Sequence, residues 1–320
     1  MILIIAIRDD AHTDAVIVEL ENKKADYIVL DTYDLWETVD IYELIGGADN
    51  PHYLYIAGGK IDVRDIHTVW HRRTRQPISP SSSAIDGRID TVHQKRTYLE
   101  ALYLQLVDAF WVNPLYAAIG ASSKPYQLEV ARRIGLNIPR TLITNQATTA
   151  IKFAQETDSD IAYKTLSGYG KTTDANEDLG IYTNRITLSS IVERADSISL
   201  CPCLFQKYID KEIEVRVTVM GSKLFALAIY SQRSSSTVVD YRRDLLVPLY
   251  EPHELPEHMK QKIMLFMKML GLVFGCLDFI VSSDGRYIFL EINPYGQWLW
   301  VERVSKMSLV PEFVSLLMDK

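Results

Sequence analysis

The residues with the clearest chemistry lie near the C-terminus, in the segment CLDFIVSSDGRYIFLEINP at 276–294. Two runs rich in β-branched and aromatic residues flank Asp284-Gly285, a strong short-range hairpin signal. With those two residues as the turn, Asp278 lies directly opposite Glu291. Asn293 shares the face of Glu291 because strand side chains alternate. Facing carboxylates repel unless something neutralises them. A hard cation does so, and oxygen-only ligands with open positions suit Mg²⁺ shared with nucleotide phosphates. Asp278, Glu291 and Asn293 are therefore the candidate metal ligands. A solvated outer face would carry the same residues, and a register shifted by one would separate the pair.

A second hairpin reads EVRVTVMGSKLFALAIYS at 214–231, with Gly221-Ser222 as a two-residue turn. Val215, Val217 and Val219 face one way and suit a core. Glu214, Arg216 and Thr218 face the other and suit a ligand. A strand-borne arginine can stabilise phosphoryl charge bidentately, although a surface Glu–Arg pair fits the same pattern. Upstream, IAYKTLSGYGK at 161–171 is a strand that delivers Lys164 into a loop with Ser167, Gly168 and Gly170. Small residues there let backbone N–H groups approach phosphate oxygens. GYGKTT resembles a Walker A motif, but Thr165 stands where its first glycine belongs, and no apolar-periodic helix begins over 174–178. A glycine flap fits better than a P-loop. The strand CLFQKYI at 203–209 has an end that could offer backbone groups to a purine.

These residues need elements to position them. The apolar run at 1–7 has the length and continuity of a buried parallel strand. A helix at 13–23, strands at 27–30 and 68–70, and a long helical pattern at 91–109 make an α/β unit over 1–115. The stretch ISPSSSA at 78–84 reads as a loop. Pro114 pushes Asn113 into an extended conformation and marks a boundary. Ser123 and Pro125 start a helix, which Gly135 ends. The 320 residues are 48% hydrophobic and 23% charged, ordinary for a globular protein with two or three core-forming units. A net charge of −7 without a long basic stripe argues against wrapping nucleic acid. No stretch has the apolar length of a membrane span, and three cysteines argue against a disulfide framework. A reducing cytoplasm is the expected compartment.

The order of these pieces resembles the ATP-grasp superfamily over nearly the whole chain, implying an α/β (α+β) ATP-grasp fold. It would comprise a Rossmann-like pre-ATP-grasp domain at 1–115, a central subdomain at 116–209 and a C-terminal subdomain at 210–320. The resemblance implies that ATP and Mg²⁺ are used. Lys124 and Lys164 would contact phosphates, Gln206, Lys207, Tyr208 and Ile209 would line adenine, and Glu214 would hold ribose. Arg216 matches the phosphate-binding arginine of the [DE]-x-R-V strand.

Within that superfamily TVWHRR, WVNP, KPYQL…GLNIP, EVRVTVMG, VDYRR and FLEINPYGQWLW look like the graspetide synthetases, which close lactone or lactam rings in a ribosomally made precursor peptide. Tyr241 departs from the tryptophan expected before Arg242. The resemblance implies phosphorylation of an Asp or Glu side chain of the precursor. Attack by a Thr or Ser hydroxyl or a Lys amine of the same peptide would follow. Lys124, Lys164 and Arg216 would neutralise the transferring group. Arg72, Arg73, Arg233 and Arg242, with Arg75 and Arg243 nearby, would hold the acidic core of the peptide. It further implies a homodimer. A RimK-like carboxylate–amine ligase shares the metal motif and is the alternative, although the aromatic GQWLW tail argues against it.

Overall fold

The computed structural model describes residues 1–7, 9–32, 35–46, 50–56, 59–74, 91–157, 159–166, 169–171, 178–180, 182–246 and 249–319. Arg75, the expected loop at 78–84, Ser167 and Gly168 lie outside the described residues.

The N-terminal apolar run forms β1 (Ile2–Ala6), buried along its length because parallel strands flank it on both sides. Asp10 starts α1 (Ala11–Asn22) by accepting from the amides of His12 and Thr13, and β2 (Tyr27–Asp31) follows. After α2 (Leu35–Thr38) come β3 (Val39–Glu43), β4 (His52–Ile56) and β5 (Gly59–Asp62), an antiparallel meander. β6 (Thr68–His71), α3 (Thr91–Gln105) and β7 (Phe110–Val112) complete a parallel sheet in the order β2-β1-β6-β7. The expected helix at 91–109 stops early. The Trp111 indole N–H takes the Leu106 carbonyl at 2.7 Å, filling an acceptor that helix continuation would need.

α4 (Leu115–Ala121) and α5 (Lys124–Arg133) lead into the central unit, with Gly135 (φ 75°) turning the chain out of α5. Next are β8 (Thr141–Thr144), α6 (Ala147–Thr157), β9 (Ile161–Lys164), the ribbon of β10 (Tyr169–Lys171) and β11 (Asp178–Gly180), and β12 (Asn184–Ile186). α7 (Leu188–Glu193), α8 (Ala195–Ile198) and β13 (Cys203–Lys207) close an antiparallel sheet of order β12-β9-β13-β8, whose own small core includes Phe153, Ile191 and Phe205.

The C-terminal unit contains β14 (Ile213–Met220), β15 (Lys223–Ile229), β16 (Tyr250–Pro252), α9 (Glu257–Leu270), β17 (Phe274–Val281) and β18 (Tyr287–Asn293). Its sheet runs β16-β15-β14-β17-β18. α10 (Leu299–Ser305) and α11 (Leu309–Met318) end the chain. One sheet face packs on α9, burying Val215, Val217 and Val219 as the alternation predicts. The other shares a core with the N-terminal sheet, where Ile4 and Trp70 meet Phe274, Trp298 and Phe313.

Both hairpins form. Gly221 (φ 59°) and Ser222 make the expected two-residue turn between Met220 and Lys223. The C-terminal hairpin reaches its expected pairing by another route. Its loop has three residues rather than two, with Gly285 at φ 77° and its amide donating to Ser282 O at 2.8 Å. That moves the register one step. A bulge at Leu290 moves it back, so Phe279 pairs with Phe289 and Asp278 still pairs with Glu291.

Candidate active site

β14 lies between β15 and β17 and sets Arg216 directly opposite Asp278, which is itself opposite Glu291 on β18. Arg216 Nη1 donates to both Asp278 oxygens at 3.0 and 2.8 Å, and its Nη2 donates to Gln297 O at 3.1 Å. Glu291 has Lys124 Nζ 3.4 Å from Oε2 and Arg242 Nη1 3.8 Å from Oε1. The repulsion expected between the two carboxylates is thus relieved here by side-chain cations. Asn293, exposed on the next same-face position, uses Oδ1 to accept the Tyr295 amide at 2.9 Å. Lys164, at the end of β9, completes a ring of four cations around two acids.

An open cleft of about 630 Å³ runs between this sheet and the central one. Its walls include the expected Lys164, Gln206, Lys207, Tyr208, Ile209, Glu214, Arg242, Asp278 and Glu291. Three further residues on the walls matter. Lys211 donates to Glu214 Oε1 at 2.6 Å and to Val239 O at 3.2 Å. Asp240 is clamped by Arg242, with Nε–Oδ1 at 2.8 Å and Nη2–Oδ2 at 2.6 Å, and also accepts the Thr183 amide at 3.0 Å. Leu290 faces the cleft because the bulge turns it and Glu291 to the same side.

Electrostatics follow from burial and neighbours. Burial raises Asp278 above the usual carboxylate range despite Arg216. Burial pushes Glu291 the same way, but Lys124, Lys164 and Arg242 outweigh it and hold Glu291 below its ordinary value. Burial lowers Lys164, with Lys124 and Arg242 adding to the effect and Glu291 opposing it. Glu214 is raised by burial although Lys211 touches it.

Two orphaned atoms bear on what the cleft takes. Arg216 Nε, a donor, and Gln206 Oε1, an acceptor, are buried without partners among the described residues. Such groups are costly unless a ligand meets them. The acceptor lines the cleft at the strand end and suits an amino group; the donor belongs to Arg216, which pairs with the lining residue Asp278. Among the described residues no cluster of three or more His, Cys, Asp or Glu could hold a metal alone. Asp278, Glu291 and Asn293 supply two carboxylates and an amide, a set that phosphate oxygens would complete.

The expected peptide-binding arginines scatter. Arg72 is 3% exposed, with Nε on Asp10 Oδ1 at 3.3 Å and Nη1 on Tyr295 O at 2.7 Å. β6 ends against the C-terminal unit and buries its flank, so Arg72 faces Asp10 and the Tyr295 carbonyl rather than the surface. Arg73 is half-buried beside it. Arg233 is exposed and stacks on Tyr230 at 5.0 Å. Arg242 stands in the cleft itself, and Arg243 is spent on Thr183 O and Asn184. Tyr241 is buried, its ring tilted against Trp300 at 6.1 Å. Gly170 lies on β10 opposite Leu179. Sequence reasoning passed over Lys211 and Asp240. A Lys-x-x-Glu spacing and the Asp of VDYRR were their signals.

No protein-family model and no curated protein matches the chain. Solved structures do. The macrocyclase MdnC of Microcystis aeruginosa MRC, bound with precursor peptide MdnA, is similar with a TM-score of 0.85 and 27% identity, covering 100% of both chains. A Chryseobacterium gregarium RiPP-associated ATP-grasp ligase, in complex with ADP and a leader and core peptide, gives 0.85 and 27%, over 99% of this chain and 96% of that one. The macrocyclase MdnB of Microcystis aeruginosa MRC gives 0.81 and 29%, over 100% and 99%. The fold is that of the ATP-grasp ligases, and the reading of the chain as an enzyme of graspetide-synthetase type is borne out.

Proposed function

We propose that the protein uses ATP and Mg²⁺ to join an Asp or Glu side chain of a precursor peptide to a Thr or Ser hydroxyl or a Lys amine of the same peptide. One observation carries this reading: Lys124, Lys164, Arg216 and Arg242 converge on the Asp278–Glu291 pair in a cleft whose far wall is the Gln206–Ile209 strand end. Cations in such excess fit a triphosphate with its metal, and the strand end fits the base.

In the first step a peptide carboxylate oxygen bonds to the γ-phosphorus, the bond to the β-phosphate oxygen breaks, and ADP leaves. In the second the hydroxyl or amine bonds to the acyl carbon, the acyl–phosphate bond breaks, and phosphate leaves as the nucleophile loses its proton. The metal would be held by Asp278, Glu291 and Asn293 and would supply charge neutralisation on the phosphates. Lys124, Lys164 and Arg216 orient the triphosphate and stabilise charge that develops on the transferring group. Lys211 keeps Glu214 oriented at the ribose end. Arg242, held by Asp240 and directed by Nη1 toward Glu291, would also attract the incoming carboxylate.

The test is incubation with ATP, Mg²⁺ and an acidic, Thr-containing precursor peptide, read by mass spectrometry. Loss of one water per ring is expected; a gain in mass would mean ligation of a separate amine. Glu291→Gln combined with Asn293→Ala should abolish the loss, and its survival would show the metal assignment to be wrong. The homodimer and the reducing compartment belong to the same reading; light scattering checks the former.

A further inference from the structure

Residues 293–299 join the metal-binding end of β18 to α10, and their backbone is gripped from two sides. On the site's side, Asn293 Oδ1 accepts the Tyr295 amide at 2.9 Å and Arg216 Nη2 donates to Gln297 O at 3.1 Å. On the other side stand two residues of the N-terminal unit. Arg72 Nη1 donates to Tyr295 O at 2.7 Å. His12 Nε2 accepts the amides of Trp298 and Leu299 at 3.0 and 3.1 Å. Resting on the reading above, we propose that Arg72 and His12 are positioning residues: they set the backbone that orients Asn293 toward the metal and Arg216 toward phosphate.

Three features support this over a plain pin between two units. His12 takes the amide of the very peptide group whose carbonyl Arg216 uses, Gln297–Trp298, and Arg72 takes the carbonyl of Tyr295, the residue whose amide Asn293 holds. The grip is also rigid. Asp10 Oδ1 accepts Arg72 Nε at 3.3 Å and the amides of His12 and Thr13 at 3.0 Å each, which ties both residues to the first turn of α1. Finally, burying an arginine, a histidine and an aspartate is expensive where apolar packing would hold two units together. Trp298, Phe313 and Trp70 already provide such packing a few ångströms away. Nε2 accepts two amides and is therefore unprotonated, while the other ring nitrogen, Nδ1, stands 3.2 Å from Arg72 Nη2.

The experiment is calorimetric titration of the full-length protein with ADP, with and without Mg²⁺, alongside the peptide assay. In the unsubstituted protein Mg²⁺ should strengthen ADP binding. Arg72→Met and His12→Ala should each lose roughly 10–100-fold of that Mg²⁺-dependent gain, the usual effect of outer residues that orient ligands. ADP binding without Mg²⁺, which feels this backbone through Arg216 alone, should fall by less than that gain. His12→Gln, whose amide oxygen can accept the same N–H groups, should recover most of the gain. Arg72→Lys keeps a charge beside Asp10 but cannot also span to Tyr295 O, so it should lose the gain while folding. The proposal is overturned if the gain persists in Arg72→Lys and His12→Ala, if affinity falls equally with and without Mg²⁺, or if the unsubstituted protein shows no gain. Gain without water loss from any peptide would instead sink the peptide reading and leave this inference standing.

Discussion

Arg216 is the residue on which most of the site's geometry turns. It spans the Asp278 carboxylate and the Gln297 carbonyl, and Asp278 beside it offsets the burial that disfavours its charge. Lysine at this position keeps a charge but loses the fork that makes both contacts. Arg216→Lys should lower the turnover of the peptide reaction by about 10²–10³-fold, the cost of one preorganised donor; unchanged kcat would remove Arg216 from the chemistry. His12 offers a pH test. Burial, with Arg72 next to it, lowers it from an ordinary 6.5 to about 4. Between those values the unfolded chain binds the proton and the folded one does not, so stability rises with pH across the window and is lost on acidification. Denaturant melts at pH 7 and pH 4 should differ by on the order of 3 kcal/mol from this group. His71, lowered to about 4 by burial, adds a parallel loss. His12→Gln should remove only the first share, and identical slopes for the two proteins would refute it. At this scale the sequence was legible where a residue's place follows from its strand face, as with Asp278, Glu214 and Arg216. It misled where burial is tertiary. Arg72 sits in a run that reads as a basic surface, and only packing against Tyr295 turns it inward. Lys211 and Glu214 are three apart, which puts them on opposite faces of a regular strand; they meet because β14 begins only at Ile213.

At the scale of elements the C-terminal hairpin is the instructive case. The turn signal located Asp284-Gly285 correctly, yet the loop is one residue longer and Leu290 absorbs the difference. A bulge carries no composition signal of its own, so this compensation was not legible, although it decides which side chains face the cleft. Two glycines test the two ends of the device. Gly285 sits at φ 77° with nothing within 4 Å of where a Cβ would stand, so only backbone strain opposes a side chain there. Gly285→Ala should cost about 1–2 kcal/mol in denaturant unfolding and leave the Mg²⁺-dependent ADP affinity intact. Gly296 differs: a Cβ would stand 2.5 Å from Cys276 Cβ and 2.6 Å from its Sγ, both on β17. Gly296→Ala must therefore displace the backbone that Arg216 and Asn293 hold. Its signature should be lost metal-dependent ADP affinity together with lower stability. Equal behaviour of the two variants would show that the segment after β18 plays no part in the site.

At the scale of the whole molecule the proposed divisions at 115 and 209 describe chain order better than cooperativity. Trp70 of β6 meets Phe313 of α11 at 4.9 Å between ring centroids, and Phe313 meets Phe274 of β17 at 5.4 Å. Asn113, beside the first division, donates through Nδ2 to Phe274 O and Pro294 O, both at 2.9 Å. Its Oδ1 accepts the amides of Val273 at 2.9 Å and Phe274 at 2.8 Å. The N-terminal sheet packs one face on α3 in a core of its own, but covers its other face only with elements from the far end of the chain, while the central sheet has a core of its own. Residues 1–115 expressed alone should fail to give a cooperative melt, because one face of β1 and β6 would be left to water. In the intact protein, native-state hydrogen exchange should open β1 and β17 together at the global free energy and open β9 and β13 in a separate, lower step. Deleting the Asn113 side chain bears on the same point. Asn113→Ala strands two amides and two carbonyls at the seam, so it should lower protection in both outer sheets by several kcal/mol and leave the central sheet unaffected. Loss confined to the N-terminal sheet would mean that the two outer units fold independently and that the seam merely joins them.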